Sequence, residues 1–518
     1  MKKICKKMIG SLIAVLFALL IAGCTADQQA NESEAKTGTS KATNKDTLVI
    51  GLDDDPPQLD PHLSSAAVDR QVFQSLFNKL IDIDEKLEFV PELAKTWEIS
   101  PDGKTYTFTL EEDVLFHDGT PFNAEAVKFN FERMLNPDFG SPRKSEIDLV
   151  DQVNVVSEYE VEVVLKESYA PFLSVLTDRA GMMVSPKASE ELGEDFSNKP
   201  VGTGPYKFED RVVQDRVELV RFEDYWGEKP TIEKVVIKPF TDSNVRVTNL
   251  VSGDLDMVNK VAFKDLKTLE ENKSITLLEQ APIGYQGIYF NIEQKPFDNK
   301  KVRQAINAAI DREAIAKVVF HGGVEPAVSP FPSASWAGSK EEVPKADLEL
   351  AKKLLDESGV SDVSFSMKIV PKPEEQQTAQ MIQTMLKEIG VEMKIEQVEF
   401  GTLLEQLASG EFQAGRLGWS GRIDPDGNVS GRVTTDGPNN YSNYSNEELD
   451  RIIAKARTLN DREERAELYQ QVTDILWEDM PYAYLYHEKD YKAMKNYVKG
   501  FKHIPDTMIR TQSIYFEE

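Results

Sequence analysis

The sequence predicts an α/β protein with a largely parallel sheet in its second half, and two observations lead to this fold class. Apolar residues recur at helical spacing in four segments of that half, 347–358, 374–389, 446–457 and 461–478. Shorter, strand-like apolar runs occupy residues 365–370, 391–398 and 412–419. Three helical patterns end at glycines, which commonly stop a helix: Gly359, Gly390 and Gly410. Alternation of this kind is typical of helices that cover a sheet.

The first 23 residues have the pattern of a secretory signal peptide. Four lysines precede an apolar run over residues 8–22. As a helix, that run would span roughly 22 Å, short of the ~30 Å hydrocarbon core, so a leader is favoured over a membrane span. The run ends in Ile21-Ala22-Gly23-Cys24, which resembles the lipobox of bacterial lipoproteins and predicts a lipid on Cys24. The alternative is a plain secretory signal with a chance cysteine.

Cysteine is confined to this leader and its predicted cleavage site. The chain has two cysteines, Cys5 and Cys24, so a mature, acylated protein would have no free thiol. Disulfides, zinc–thiolate sites and cysteine nucleophiles are thereby excluded. Residues 24–46 contain no large apolar side chain after the cysteine, and we expect a flexible tether there. Roughly 470 residues remain beyond it, enough for two or three hydrophobic cores.

The chain is strongly acidic, with a formal net charge of −28 at pH 7. Such a surface repels nucleic acid and anionic lipid headgroups, so nucleic acid is not expected as a partner. The acidity keeps the protein soluble and does not by itself indicate a cationic ligand.

The elements of the first half follow from local patterns. Residues 47–52 are a short apolar strand, and one face of residues 66–80 is apolar at helical spacing. Asn123 can cap a helix that ends near Leu135. Further strands are predicted at 104–110, 158–165 and 216–238, further helices at 299–309 and 311–319, and a strand-like aromatic segment at 482–501.

Enzyme motifs begin in several places, and none is complete. Residues 202–207 start like a dinucleotide loop but lack the third glycine. Residues 418–421 are one residue short of a nucleophile elbow, and residues 424–427 reach their glycine too early for a calcium loop. No two of the five histidines are three or four positions apart. We therefore predict neither an enzyme nor a cofactor.

Several blocks occur in a fixed order along the chain. They are Leu59-Asp60-Pro61-His62, residues 97–108 (WEISPDGKTYTF), residues 114–122 (VLFHDGTPF), Gly202-Thr203-Gly204-Pro205-Tyr206, Tyr225-Trp226-Gly227, Pro296-Phe297-Asp298 and residues 302–306 (VRQAI). Each block is weak alone, but their order and spacing over residues 47–500 are specific. Together they resemble the extracellular solute-binding protein family 5, the peptide- and nickel-binding receptors of ABC importers.

The resemblance implies a two-lobed periplasmic-binding-protein-like (type II) fold with an extra subdomain. Lobe one would comprise residues 47–285 and 488–518, with the subdomain at about 85–200, and lobe two residues 286–487. It also implies a monomeric receptor that closes around a small ligand and delivers it to a permease and ATPase. The predicted lipid anchor and the lack of thiols suit the extracytoplasmic face of a Gram-positive cell membrane, and a Gram-negative envelope is the alternative.

The expected ligand is a short peptide, whose buried ammonium and carboxylate each need an opposite charge. By the family pattern, backbone is offered by Ser65, Ala66 and Ala67 and by residues 418–421, followed by an aspartate for the amine. Here Gly421 is followed by Arg422, and the aspartates come later. This departure indicates either a shifted anchor or a ligand with an acid where peptides have an amine.

Each charged candidate in this region has a structural alternative. Arg416 and Arg422 are candidate carboxylate partners or surface charges, whereas Asp424 and Asp426 are candidate ammonium partners or turn residues. Trp419 is a candidate cleft wall or a core residue.

Two further candidates and two further functions stay open. Asn440 and Tyr441 are candidates for the cleft mouth, and Ser420 and Gly421 belong to the backbone stretch described above.

A nickel–chelate receptor would need His62 or His487 to face the cleft. A peptide-signal sensor on the same fold cannot be separated from an importer receptor by sequence.

Overall fold

The computed structural model describes residues 46–338 and 342–517. The predicted signal peptide, Cys24 and nearly all of the tether lie outside the described residues, so these predictions remain as stated. Within the described part, no helix combines the length and the apolar character that a bilayer crossing requires.

Strands and helices are numbered in chain order. The strands are β1 (Thr47–Leu52), β2 (Ile81–Ile83), β3 (Phe89–Pro91), β4 (Ala94–Ile99), β5 (Thr105–Leu110), β6 (Val150–Ser157), β7 (Glu160–Leu165), β8 (Tyr206–Val212), β9 (Arg216–Arg221), β10 (Lys234–Pro239), β11 (Met257–Val258), β12 (Ile275–Gln280), β13 (Gln286–Phe290), β14 (Val324–Pro326), β15 (Ser364–Ile369), β16 (Glu392–Gln397), β17 (Ala414–Arg416), β18 (Tyr482–Glu488), β19 (Asp490–Lys495), β20 (Val498–Lys499) and β21 (Tyr515–Phe516). The α-helices are α1 (Asp69–Leu76), α2 (Ala124–Leu135), α3 (Phe172–Val175), α4 (Pro186–Leu192), α5 (Ser243–Ser252), α6 (Leu266–Glu270), α7 (Lys300–Ala309), α8 (Arg312–Val318), α9 (Leu348–Ser358), α10 (Pro373–Glu388), α11 (Phe400–Ala408), α12 (Asp426–Val433), α13 (Glu447–Thr458) and α14 (Arg462–Asp479).

A seven-stranded mixed sheet, in the order β12-β19-β11-β1-β10-β9-β8, is the base of what we call lobe one. Its centre is parallel, because β1 pairs in the same direction with both β10 and β11. Its outer pairings are antiparallel. Ile50 of β1 packs with Phe73 of α1 and Tyr206 of β8 in one buried core.

A four-stranded antiparallel sheet, in the order β4-β5-β7-β6, forms a subdomain with its own core. Fully buried and half-buried residues alternate along β7, as expected for a strand with one covered face. Helix α2 covers that face, and its Phe131 packs with Phe108 and Val163. The Asn123 side chain accepts a hydrogen bond from the Ala126 amide at 3.1 Å, so the predicted helix cap is confirmed.

A six-stranded sheet, in the order β14-β18-β13-β17-β15-β16, is the base of what we call lobe two. Among its described strands, β15 has two parallel neighbours, β16 and β17, and the other pairings are antiparallel. The prediction of a largely parallel sheet is therefore wrong. Helix–strand alternation produces parallel pairs at β15, β16 and β17, whereas β13 and β18 are connected directly to strands of lobe one and run antiparallel to their neighbours.

Two short segments connect the sheets. Strand β12 ends at Gln280 and β13 begins at Gln286, while β18 ends at Glu488 and β19 begins at Asp490. The predicted lobe boundaries at 285/286 and 487/488 stay a prediction, which the strand membership of the two sheets supports.

Most individual elements agree with the sequence patterns. Helices α7 to α10, α13 and α14 lie within one or two residues of their predicted bounds. The predicted strand at 216–238 is wrong as a single element, because β9 and β10 are separate antiparallel strands joined by residues 222–233. Helix α12 was missed, since its glycine-containing sequence has the composition of a loop.

Candidate functional site

The carboxyl ends of parallel strands from both lobes face the region between the lobes. Strand β1 leads into Asp53, β11 into Asn259, and β17 into residues 417–421. In open α/β sheets, ligands bind in the crevice outside the carboxyl ends of the strands. The architecture therefore places a binding cleft beside the two crossing segments.

A cavity of about 450 Å³ occupies this position, and we call it the first cavity. Lobe one contributes Ala66 and Ala67 to its wall, and lobe two contributes Trp419 and Ser420. Its other lining residues are Asp53, Asp54, Val68, Gln71, Asn259, Lys260, Val261, Phe263, Pro282, Ile283, Gly284, Tyr285, Gln286, Glu488, Lys489, Asp490, Tyr491, Lys492, Thr507 and Met508. The two backbone segments predicted from the sequence thus meet at one space through Ala66, Ala67, Trp419 and Ser420. Ser65, which is exposed, and Gly418 line neither the first cavity nor the second cavity described below, and Gly421 lines only the second.

Residues 417–421 are held against the first crossing segment. The backbones of Trp419 and Tyr285 exchange hydrogen bonds of 2.8 and 2.9 Å. Gly421 has a φ of +84°, and a Cβ there would overlap the Ile283 carbonyl oxygen. Glycine is required at Gly421 for both reasons, because a side chain would be strained and would push the two segments apart.

A second cavity of about 310 Å³ adjoins the first, and Ile283 and Trp419 line both. Its lobe-two wall includes Gly421, Arg422 and Asp426. Its lobe-one and subdomain wall consists of Arg70, Ser145, Glu146, Tyr169, Pro171, Ser174, Val175, Thr177, Asp178 and Asp506, besides Ile283 of the first crossing segment. The candidate site therefore has two compartments separated by the Ile283 and Trp419 side chains.

Trp419 contacts two guanidinium groups and is hydrogen-bonded through its indole nitrogen. The guanidinium carbons of Arg422 and Arg432 lie 4.3 and 3.3 Å from the centre of its ring system. Its indole nitrogen donates to Asn428 Oδ1 at 3.1 Å, and the same oxygen accepts from the Arg422 amide at 2.8 Å. Cation–π contacts of this kind hold the ring at a fixed orientation between the compartments.

The two arginines beside Trp419 have no acidic partner in the described structure. No carboxylate oxygen of a described residue lies within 4.0 Å of either guanidinium. Arg422 donates to its neighbouring carbonyl at Gly421, and Arg432 to the Gly427 carbonyl. Burial lowers the pKa of Arg422 to about 10, so it remains charged at neutral pH. This side of the site carries uncompensated positive charge.

Asp424 and Asp426 are both occupied by arginines of lobe two. Asp424 accepts two hydrogen bonds from Arg465, at 2.8 and 2.7 Å, and is 7% exposed. Asp426 lies 3.4 Å from the Nε of Arg457 and accepts from the Ser430 hydroxyl. Burial raises the pKa of Asp426 to about 6 against the opposing effect of Arg457. These contacts favour structural roles for Asp424 and Asp426, and their role as ammonium partners stays a prediction.

Three other predicted residues lie away from both cavities. Arg416 is buried and pairs with Glu375 at 2.8 and 3.0 Å, also donating to the Tyr486 hydroxyl. The Asn440 amide donates to carbonyls of its own loop, and Tyr441 packs edge-on against Tyr289. Their predicted roles in binding stay predictions that these contacts do not favour.

The histidines named for the nickel alternative are internal. Burial lowers the pKa of His62 to about 4, and its ring contacts the Met182 carbonyl and Arg133. His487 is 2% exposed and contacts the Gly284 carbonyl. Within the described residues no cluster of three metal-ligating side chains occurs. Neither histidine lines the first or second cavity, so the histidine contact expected for nickel–chelate capture is not provided by His62 or His487.

Some lining residues were missed by the sequence analysis. Arg70 and Asp178 form an ion pair of 3.0 Å across 108 positions of sequence, a separation that no local motif reveals. Arg432 had a detectable signal, because the tripeptide Ser-Gly-Arg occurs at both 420–422 and 430–432.

Comparison with known proteins agrees with this architecture. The family model of bacterial extracellular solute-binding proteins, family 5, matches residues 88–441. The glutathione-binding protein of Salmonella typhimurium is 32% identical over 475 residues, covering 89% of this chain and 92% of that protein.

Two solved structures share the fold. The dipeptide-binding protein of a Pseudoalteromonas species in complex with Met-Leu has a TM-score of 0.80 at 27% identity, covering 91% of this chain and 100% of that one. The ABC transporter-associated periplasmic binding protein of Helicobacter pylori in complex with the peptide STSA has a TM-score of 0.79 at 27% identity, covering 91% and 98%.

The chain therefore belongs to family 5 of the bacterial extracellular solute-binding proteins. Its fold is the two-lobed fold of that family, as the sequence resemblance implied. As a member it is a substrate-binding protein of an ABC importer and acts outside the cytoplasm.

Proposed function

We propose that the protein captures short peptides, from dipeptides to small oligopeptides, and delivers them to the permease of an ABC importer. One observation carries the proposal: Ala66 and Ala67 of lobe one line the same cavity as Trp419 and Ser420 of lobe two. A peptide lying between them can be bound through its backbone by both segments, as in recognition by strand addition. Such recognition tolerates many side chains.

The dimensions of the site support a ligand of a few residues. The first and second cavities are about 450 and 310 Å³ and share Ile283 and Trp419. Each falls within or near the range of roughly 300–1,000 Å³ that small-molecule sites occupy. The peptides bound in the two solved relatives, Met-Leu and STSA, are of this class.

The charges of the site favour peptides that carry more carboxylates than ammonium groups. Arg422 and Arg432 have no acidic partner among the described residues, whereas Asp424 and Asp426 are already paired. A buried charge without a partner is costly, so a ligand anion beside these arginines is stabilised. Glutathione, which the Salmonella relative binds, has two carboxylates and one ammonium and meets this requirement.

Ligand binding would close the lobes, because the site has walls on both of them. A peptide that contacts Ala66 and Trp419 at once gains its full binding energy only when the lobes are shut. Binding energy that is present in one conformation alone shifts the population to that conformation. The loaded, closed form would then be what the permease recognises.

The decisive experiment is a thermal-shift screen of the ligand-free protein, lacking residues 1–24, against di-, tri- and tetrapeptides, followed by titration calorimetry. Free amino acids, sugars and nickel–histidine are the controls. Peptide-dependent stabilisation of Tm with a Kd of about micromolar or tighter is expected. A response to one of the controls without a response to any peptide would overturn the proposal.

The location at the membrane is a separate part of the proposal. We place a lipid on Cys24 and the protein on the outer face of a Gram-positive cell membrane, supported by the lipobox-like residues 21–24. Labelling cells with a clickable palmitate analogue tests this, with Cys24→Ala as the control that should be unlabelled and released.

A second experiment separates import from sensing. The gene for the permease that works with this protein is deleted, and peptide uptake by the cells is measured; uptake should fall if the protein serves import.

A further inference from the structure

Arg422 and Asp178 face the second cavity from opposite sides. Arg422 follows the lobe-two segment 417–421, and Asp178 precedes a buried turn in lobe one. Burial opposes ionisation of Asp178, but Arg70, Arg179 and Arg422 outweigh it and lower its pKa. Arg422 thus acts on Asp178 electrostatically although the two groups are farther apart than 4.0 Å. Both residues line the second cavity, so a ligand in that cavity can contact both charges.

Both residues have unused hydrogen-bonding capacity. Asp178 Oδ1 accepts from Arg70 Nε at 3.0 Å and from the Arg179 amide at 2.8 Å, while no described group donates to Oδ2. The Arg422 guanidinium makes one hydrogen bond, through one terminal nitrogen to the Gly421 carbonyl at 2.8 Å. Asp178 therefore offers a ligand an acceptor at Oδ2, and Arg422 offers several donors. Asp426, which also lines this cavity, has an Oδ1 without a hydrogen bond, but that oxygen lies 3.4 Å from the Arg457 guanidinium.

We propose that the ligand residue in the second cavity carries both a free carboxylate, bound by Arg422, and a free ammonium, bound by Asp178. This inference rests on the proposed function and narrows it to a substrate class. A γ-glutamyl residue has such a head, because its α-amino and α-carboxyl groups stay free when the side chain forms the peptide bond. The rest of the peptide would pass Trp419 into the first cavity.

Ordinary peptide ends fit this compartment less well. The amino terminus of an α-linked peptide without an acidic side chain brings only an ammonium and leaves Arg422 without an anion. A carboxyl terminus brings only a carboxylate, which can bind Arg422 but leaves Asp178 Oδ2 without a donor. Because charged hydrogen bonds contribute about 1.5–3 kcal/mol each, either mismatch is measurable.

The test combines ligand analogues with protein variants. The probe is γ-glutamyl-2-aminobutyryl-glycine, a thiol-free tripeptide. Its glutaryl analogue lacks only the ammonium, and its 4-aminobutyryl analogue lacks only the carboxylate. In wild-type protein, calorimetry should show each analogue binding about 10- to 150-fold more weakly than the probe.

The variants then assign each group to its residue. In Arg422→Gln, the probe and the 4-aminobutyryl analogue should bind with similar Kd, because the carboxylate has lost its partner. In Asp178→Asn, which keeps the acceptor of the Arg179 amide, the probe and the glutaryl analogue should bind similarly. Two exposed positions provide matched controls, Arg451→Gln on α13 and Asp151→Asn on β6, and should behave like wild type.

The outcomes separate this inference from the proposed function. If Ala-2-aminobutyryl-glycine binds as tightly as the probe, or if the analogues lose the same affinity in the variants as in wild type, the inference is wrong and peptide capture stands. If no peptide binds the wild-type protein, the proposed function fails. Far-UV circular dichroism and Tm confirm that the variants are folded, and Arg422→Lys is a second variant should Arg422→Gln fail to fold.

Discussion

Trp419 exchanges two backbone hydrogen bonds with Tyr285, at 2.8 and 2.9 Å, where the chain crosses from lobe one to lobe two. The wall that divides the two compartments is therefore attached directly to a crossing segment. Any rotation of lobe two about that segment carries Trp419, and the arginines on its faces, toward or away from lobe one. The position of the ligand wall and the angle between the lobes are coupled through this pair.

Removing the Trp419 side chain should weaken binding more than it weakens the fold. The side chain is half-buried, lines both cavities and contacts two guanidinium groups. Trp419→Ala is expected to weaken peptide binding at least about tenfold, as expected for loss of a central aromatic contact. Calorimetry gives Kd, and Trp419→Phe, which keeps a ring at this position, is the control and should retain most of the affinity. Equal affinity of Trp419→Ala and wild type would remove this residue from the site.

Gly421 should tolerate substitution worse than an otherwise similar glycine. Gly421 and Gly359 both have positive φ, +84° and +69°, but a Cβ at Gly359 would meet nothing within 4 Å. Gly359→Ala should therefore cost only the backbone strain, about 1–2 kcal/mol. Gly421→Ala adds a clash with the Ile283 carbonyl and should lower both the free energy of unfolding and the peptide affinity further. Urea denaturation measures the first, and equal losses for the two variants would contradict the argument.

The paired state of Asp424 predicts a stability effect in the absence of ligand. Asp424 and Arg465 form a buried two-bond ion pair within lobe two. Arg465→Ala leaves a buried carboxylate without a partner and should lower the free energy of unfolding by about 3–5 kcal/mol. The exposed pair of Arg451 and Glu448 is the control, since Arg451→Ala should cost less than about 1 kcal/mol. A stable Arg465→Ala protein with lost peptide affinity would instead assign Asp424 to the ligand.

The fold was predictable from sequence where local patterns decide it. Amphipathic spacing and glycine stops located α9 and α10, and Asn123 located the start of α2. Strand direction in lobe two was not predictable, because β13 and β18 take their direction from the crossings and not from their own residues. A local pattern does not encode which sheet a crossing strand will join.

The site was predictable only in part, for a related reason. Backbone segments such as residues 418–421 can be recognised because they are continuous in sequence. The roles of charged residues depend on partners that are distant in sequence: Arg416 is neutralised by Glu375 and Asp424 by Arg465, whereas Arg422 is left without an acid. The sequence alone therefore could not show which of Arg416, Arg422 and Asp424 is free to bind a ligand, because their partners come together only in the fold.

Asp426 should make stability depend on pH in a defined window. Burial raises its pKa from 3.8 to about 6, so the folded protein holds a proton that the unfolded chain has already released. The folded state binds more protons between these values, and stability from this group is present below pH 3.8 and is lost as pH rises to about 6. Asp426→Asn should remove this slope. Urea unfolding of both proteins from pH 4 to 7 gives the difference, with exposed Asp436→Asn as the control that should keep the wild-type slope.

Lobe closure should be visible as a change in distance between two exposed positions. In the structure, the Ala170 amide donates to the Arg457 carbonyl at 2.8 Å, and the Ser168 hydroxyl to the Thr458 carbonyl at 3.2 Å, so the subdomain touches lobe two. These contacts are few and partly exposed, and we expect them to open without ligand and to form when a peptide joins the lobes.

A protein lacking residues 1–24 has no cysteine, which allows specific labelling at Glu167→Cys and Asn460→Cys. Energy transfer between dyes at these positions should rise when a binding peptide from the thermal-shift screen is added. The same pair carrying Arg422→Gln should show a smaller rise at equal peptide concentration, because the ligand then has one fewer contact on lobe two. Labels at Glu349→Cys and Glu388→Cys, both exposed within lobe two, are the control and should not respond. Unchanged transfer between 167 and 460 at saturating peptide would show that binding does not close the lobes.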